Sequence, residues 1–211
     1  LSRGPRFRLS AQQIRDQALF LSGLLVEQIG GEPVKPYQPA GVWLDLTLGK
    51  IKYEQDHGDA LYRRSLYIFW RRSVGPTMLF DVPARQVCTV KQARTNTPLH
   101  ALTLMNDIAF VEAARKMAER ILKNGGETDS ERIVHAFRVA TARTPGEGER
   151  ATLEKTLTKI RKNLAENPDA ADQLLSVGES PIAEGIDRTE IAVYASLMNL
   201  ILNLDEVLTK E

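Results

Sequence analysis

Thr97-Pro-Leu-His-Ala-Leu-Thr-Leu-Met-Asn-Asp-Ile-Ala-Phe-Val-Glu-Ala-Ala-Arg-Lys-Met-Ala-Glu-Arg-Ile-Leu122 is the stretch whose reading decides the fold. Thr97-Pro98 is a helix start, with Thr as N-cap and Pro at the first helical position, where the missing N–H costs nothing. Leu99, Leu102, Met105, Ala109, Phe110, Ala113 and Met117 then recur at helical spacing, which predicts an apolar stripe reaching Leu122. Asn106-Asp107 predicts a break, since Asp can cap a second helix. Asn124-Gly125-Gly126 closes the segment.

Downstream the same signals repeat. Ser130 reads as the cap of a helix reaching Arg143, with Ile133, Val134, Phe137 and Ala140 inward. A helix over 147–166 carries Leu153, Leu157, Ile160 and Leu164 in register, Asn167-Pro168 starts a short one, and the last is expected over 188–208. Upstream, Ser10-Ala-Gln-Gln13 is a capping-box pattern opening a helix predicted to run to Gln28, with Gly30-Gly31 as its stop. A further helix is expected over 59–72, with Leu61, Leu66, Phe69 and Trp70 near one face. Between them Pro33, Pro36 and Pro39 exclude a helix. Residues 30–60 read as a long irregular connection pinned by Tyr37, Trp43 and Tyr53, with Val42–Leu44 and Lys50–Tyr53 as short strands. Residues 78–83 read as extended, and 85–94 as ambiguous. The expected fold is mainly α: an irregular helical bundle with a long ordered loop and two or three short strands. A soft boundary divides it into a helical region with the loop, 1–124, and a helical subdomain, 125–211, packed on it.

Composition narrows the function classes. Cys88 is the only cysteine, which excludes an intrachain disulfide, a CxxC pair and a CxxCH haem attachment, and it reads as a small buried side chain. No apolar run approaches the ~20 residues of a membrane-spanning helix. Residues 1–100 hold 14 Lys and Arg against 8 Asp and Glu, and residues 101–211 hold 14 against 19. A basic half can attract phosphate or sulfate, or else the acidic half. No nucleic-acid module, Walker loop, GxSxG elbow or zinc spacing occurs.

One polar cluster is a candidate ligand site: Asp56 and His57, then Arg63, Arg64, Tyr67 and Arg71, with Arg94 further on. On the expected helix Arg63, Tyr67 and Arg71 share a face, and arginines beside tyrosine suit carboxylate, sulfate or phosphate. The competing reading is structural, with the arginines bonding loop carbonyls and Asp56, Asp59 or Asp81. Asp56-His57 lacks the spacing of a metal or acid–base pair, and His100 and His135 stand alone on helices. Arg94-Thr-Asn-Thr-Pro98 suits local capping.

Several of these segments stand in a recognisable order: Arg6–Asp16, Gly30-Gly31 with Val34–Pro39, Leu61–Tyr67, Cys88-Thr89 with Arg94–Leu99, Leu104–Asp107 and Phe110–Ala113. In this the chain resembles the C-terminal domain of unknown function in large planctomycete cytochrome-c-like proteins, the "PSD-one" type, most strongly over residues 6–122. His stands at position 100 where the resemblance leads one to expect Gln. The resemblance implies a periplasmic or secreted multidomain protein of which this chain is a fragment. It carries no activity and no catalytic residue, and the haem motif belongs to another segment, so no cofactor is expected here. The expected role is a non-catalytic helical interaction or scaffold domain whose partners are other domains of the same polypeptide. The alternatives are a module binding or processing anionic glycans and a docking domain for the cytochrome-c-like segment.

Overall fold

A computed structural model describes residues 6–50, 52–71, 75, 76, 78–81, 88, 90 and 94–210. Among these the chain is mainly α, with nine α-helices and one two-stranded antiparallel sheet. β1 (Phe7–Arg8) precedes α1 (Ala11–Ser22), and the short α2 (Val42–Leu46) interrupts the long connection. Then come α3 (Pro98–Asn106), α4 (Ile108–Asn124), α5 (Asp129–Thr141), α6 (Glu147–Glu166), α7 (Pro168–Leu175), α8 (Arg188–Leu202) and α9 (Asp205–Leu208). β2 (Thr209–Lys210) closes the sheet on β1, pairing Phe7 with Lys210 and Arg8 with Thr209.

α8 is the axis of the core. Ile191, Ala192, Val193, Tyr194, Leu197, Met198 and Ile201 are sequestered on all its sides, as expected of a helix apolar all round. α4 lies along it, and Ala114 and Ala118 let the two backbones approach closely. α5, α6 and α7 complete this cluster, while α1 packs on α4 from the other side through Ile14 and Ala18. The break at Asp107 forms as expected: its carboxylate accepts from Ala109 N–H and starts α4.

Local starts and stops correct several expectations. α1 ends at Gly23, not Gly30, because Gly23 adopts φ +80° and the N–H groups of Gly23, Leu24 and Leu25 all return to the Leu19 carbonyl. Arg120 takes the exposed carbonyls of Phe20 and Leu21 at that end. α5 is capped by Thr128 rather than Ser130, in a reciprocal box with Glu131. The last helix stops at Leu202, and α9 follows after a turn. Val42–Leu44 is helical rather than a strand, because Gly41 at φ +87° turns the chain into a single helical turn. Residues 50, 52 and 53 form no strand, and Ile51 lies outside the described residues, as does part of 78–83 and most of 85–94.

The expected helix over 59–72 is replaced by two 3-10 turns, Gly58–Tyr62 and Ser65–Tyr67, separated by extended Arg63 at φ −65°, ψ 155°. The cause is tertiary. The buried Arg15 guanidinium donates to the carbonyls of Leu61 (2.7 Å) and Arg63 (2.9 Å), and the Asp16 carboxylate accepts from Ser65 N–H (2.7 Å). Those groups would otherwise serve the i to i−4 ladder of a helix. Residues 26–34 run beside this segment, with single bridges at Val26–Arg63 and Val34–Ile68.

Candidate functional site

The seven candidate residues divide among separate places. Arg63 is buried and spends its guanidinium on the carbonyls of Gln28, Gly30 and Glu32, with its plane 4.1 Å over the Tyr67 ring. Tyr67 in turn accepts from Gly30 N–H through its hydroxyl. These two are the members that the fold brings together. Arg64 is exposed and 3.8 Å from Asp16, and Arg71 is exposed without joining the Arg63–Tyr67 pair. Without a continuous helix the shared face of Arg63, Tyr67 and Arg71 does not exist. Asp56 exchanges bonds with Lys35: its carboxylate accepts from Lys35 N–H, and its own N–H donates to Lys35 carbonyl. His57 is exposed, with Nδ1 2.7 Å from the Glu179 carboxylate.

Arg94 belongs to another corner. It donates to Arg8 carbonyl at 2.8 Å and lies over the Phe7 ring. Beside it Asp81, at φ +57°, accepts from Thr95 N–H and Oγ, and its carboxylate stands 3.8 Å from His100 Nε2. His100 stacks on Phe80 with 4.2 Å between ring centres. Burial pushes the Asp81 carboxyl up, but the two Thr95 bonds and the charge of His100 outweigh it and leave it below the ordinary carboxylate range. The Arg94–Pro98 segment thus works as turn and tie, with Thr97 in the N-cap position of α3 but making no side-chain cap bond. Cys88, expected to be buried, is exposed.

The most buried ionisable cluster was not among the candidates. Glu112 and Arg115 on α4 are each 1% exposed, and Glu119 sits one turn further along. Glu112 Oε1 accepts from Tyr62 hydroxyl (2.9 Å) and from Ser180 N–H (2.6 Å), while its Oε2 has no hydrogen-bond partner among the described residues. Arg115 donates to Ser180 carbonyl and hydroxyl and to Glu119. Tyr37 hydroxyl accepts from Glu179 N–H. Burial, reinforced by the Glu112 charge, raises the Tyr37 phenol and pushes that of Tyr62 up to about 12. The result is a hydrogen-bonded clasp that fastens residues 178–180 to α4 and to the long loop. Gly178, at φ +85°, lies so close that a Cβ would overlap the Glu112 carboxylate. A signal was present: Glu112, Arg115 and Glu119 fall at i, i+3 and i+7 within an alanine-rich stretch, so three charges share a face that must be buried.

Chemically, these arrangements hold backbone. Among the described residues no group of three His, Cys, Asp or Glu converges as a metal site, and no helix is long and apolar enough to cross a membrane. Larger hollows of the surface lie elsewhere, one among Arg6, Thr141, Arg143 and Glu206 and one beside Phe137, Leu153 and Leu204.

Fold and site together define a mainly helical domain whose long loop is stitched to its helices by buried arginines and tyrosines. The chain matches the PSD1 family, described as a protein of unknown function (DUF1553), over residues 1–157, and it belongs to that family. The match takes in the whole of the loop region, α3 to α5 and the first half of α6. Comparison with curated proteins and with solved structures gave no match.

Proposed function

We propose that this chain is a non-catalytic helical interaction and scaffold domain of a larger extracytoplasmic polypeptide, holding other domains of that polypeptide in place. One observation carries the reading: Arg63, the centre of the candidate cluster, gives its guanidinium to three carbonyls of its own chain. A guanidinium bound to backbone in this way has both terminal nitrogens committed to loop carbonyls, with Nε buried and without a hydrogen-bond partner among the described residues. The anionic-glycan reading needs Arg63, Tyr67 and Arg71 on one open face, an arrangement that a broken helix does not supply. Docking to a cytochrome-c-like segment rests on the charge asymmetry and the family resemblance.

Arg63→Lys separates the readings. An ammonium is a point charge and cannot reach three separate carbonyls in a planar fork. If Arg63 is structural, the variant melts at lower temperature, and calorimetry of the parent chain against a sulfated oligosaccharide at low salt shows no saturable heat. A saturable heat that Arg63→Lys abolishes, with the melting temperature unchanged, would overturn the proposal in favour of a glycan-binding module.

A further inference from the structure

The Glu179 carboxylate reaches across to one turn of the long loop and accepts three hydrogen bonds there. Gln55 Nε2 lies 3.0 Å and His57 Nδ1 2.7 Å from its Oε1, and Gly58 N–H approaches its Oε2 more loosely, at 3.4 Å. Nδ1 bonds a carboxylate oxygen only when it carries a proton, so His57 is a donor here. Each side of this contact is also held by bonds of its own. In the loop, Asp56 exchanges two bonds with Lys35, and Tyr53 hydroxyl donates to Pro36 carbonyl. Around Glu179, its own N–H donates to Tyr37 hydroxyl, Ser180 N–H to Glu112, and Arg115 to Ser180 carbonyl and hydroxyl. The three donors are thus positioned by the loop, and the carboxylate meets them on a side chain that can swing away without moving either backbone.

We infer that Gln55, His57 and Gly58 form a carboxylate-binding site which Glu179 fills from within the chain, and that an Asp or Glu side chain of a docked neighbouring domain takes the place of Glu179. The inference rests on the reading of the chain as an interaction domain, which supplies the source of the carboxylate. The class of ligand follows from the donors. An ionised carboxylate only accepts, and its two oxygens match what converges here: Oε1 takes Gln55 and His57, and Oε2 takes Gly58. A cation would meet nothing but donors of its own kind.

Exposure and charge decide between a free acid and a tethered one. The His57 side chain is 74% exposed and that of Glu179 33%, so the site opens to solvent and exchange requires no unfolding. Hydrogen bonds to a carboxylate are weak where water competes for them. Glu54, Asp56 and Asp59 stand in the same turn and repel an incoming anion. A free carboxylate therefore binds poorly, whereas one held nearby by its own chain acts at a high effective concentration. Glu179 has that advantage in the isolated chain. A carboxylate on a domain of the same polypeptide gains it on docking, and the swap then reports that the domain is in place.

Acetate is the probe, and the three histidines of the chain are the reporters. Glu179→Ala empties the site and should keep the helical circular dichroism of the parent. Acetate replacing chloride at constant pH and ionic strength should then shift the His57 imidazole resonance saturably, with a midpoint on the order of tens of millimolar, and leave His100 and His135 in place. In the parent the tethered Glu179 competes, so the same shift should need at least about tenfold more acetate. Four results would each overturn the inference: no acetate-specific shift at His57 in Glu179→Ala, equal shifts at all three histidines, a parent that responds as readily as the variant, or a variant that has lost its helical signal. None of them bears on whether Arg63 holds the loop, so the two proposals fail independently.

Discussion

The loop region before α3 and the helical core around α8 are held together by different forces. Around α8 the side chains are apolar, and the backbone is satisfied by its own ladders, so stability there comes from area removed from water. Across residues 24–69 regular structure is sparse, and buried side chains take over the backbone's hydrogen bonds: Arg15 serves Leu61 and Arg63, Arg63 serves residues 28–32, and Tyr53 donates to Pro36 carbonyl. The lesson is that one buried polar side chain can replace a whole element of secondary structure. The cost of losing it then falls on several carbonyls at once.

The comparison is tested hardest by Arg15→Ala. The substitution leaves two buried carbonyls without donors and opens a cavity, so it should destabilise by about 4 kcal/mol, read as the shift in a urea-unfolding midpoint. A loss under about 1 kcal/mol would mean that water replaces the guanidinium and that the loop is held otherwise. Next is Gly178→Ala, where the clasp joins the two regions. The added Cβ faces both a left-handed backbone and the fixed Glu112 carboxylate, and about 3 kcal/mol should be lost. The same substitution at Gly30, where φ is +75° but no atom lies within reach of a Cβ, should cost only the backbone part, about 1 kcal/mol.

Alkali should act on the loop region first. Burial is the leading cause in raising the phenols of Tyr37, Tyr53 and Tyr62, the last to about 12 against an ordinary value near 10. A group whose folded value is raised contributes stability below its unfolded value and loses it as pH climbs through the folded one. The clasp should therefore hold up to about pH 10 and weaken towards pH 12. Tyrosinate absorbance would then rise in one cooperative step together with loss of structure; independent ionisation near pH 10 would contradict the burial of these rings.

How much of this could be read in advance follows from the same contrast. α8 and the break at Asp107 were legible because periodicity and caps are local properties of the chain. The two 3-10 turns at 58–67 were not, since Arg15 and Asp16, some fifty residues away, decide them. Nothing in Ala11–Ser22 distinguishes Arg15 from an ordinary surface arginine. Periodicity also marked Leu99, Leu102, Met105, Ala109, Phe110, Ala113 and Met117 as one apolar stripe without saying how much of it the fold covers: the last four are buried and the first three exposed. Of the candidate residues, Arg63 and Tyr67 were rightly associated, yet the association came from a helix that does not form.

A last pair of substitutions sharpens the contrast because both are conservative. Arg63→Lys keeps the charge, and Met198→Leu keeps volume and polarity. Conservation of charge is irrelevant where geometry matters: the single ammonium cannot span all three carbonyls, which two guanidinium nitrogens share, and it gives up the Tyr67 stack, so about 2 kcal/mol should be lost. Met198 lies fully buried in the α8 cluster, where its neighbours ask only for apolar volume. A γ-branched leucine has fewer rotamers but nearly the same size, and cores accommodate such exchanges for less than about 1.5 kcal/mol. Thermal unfolding of the two variants side by side should therefore rank Arg63→Lys below Met198→Leu, although a substitution table would rank the core change as the riskier. The reverse order would place jigsaw packing around α8, rather than hydrogen bonds to loop carbonyls, as the more exacting requirement of this fold.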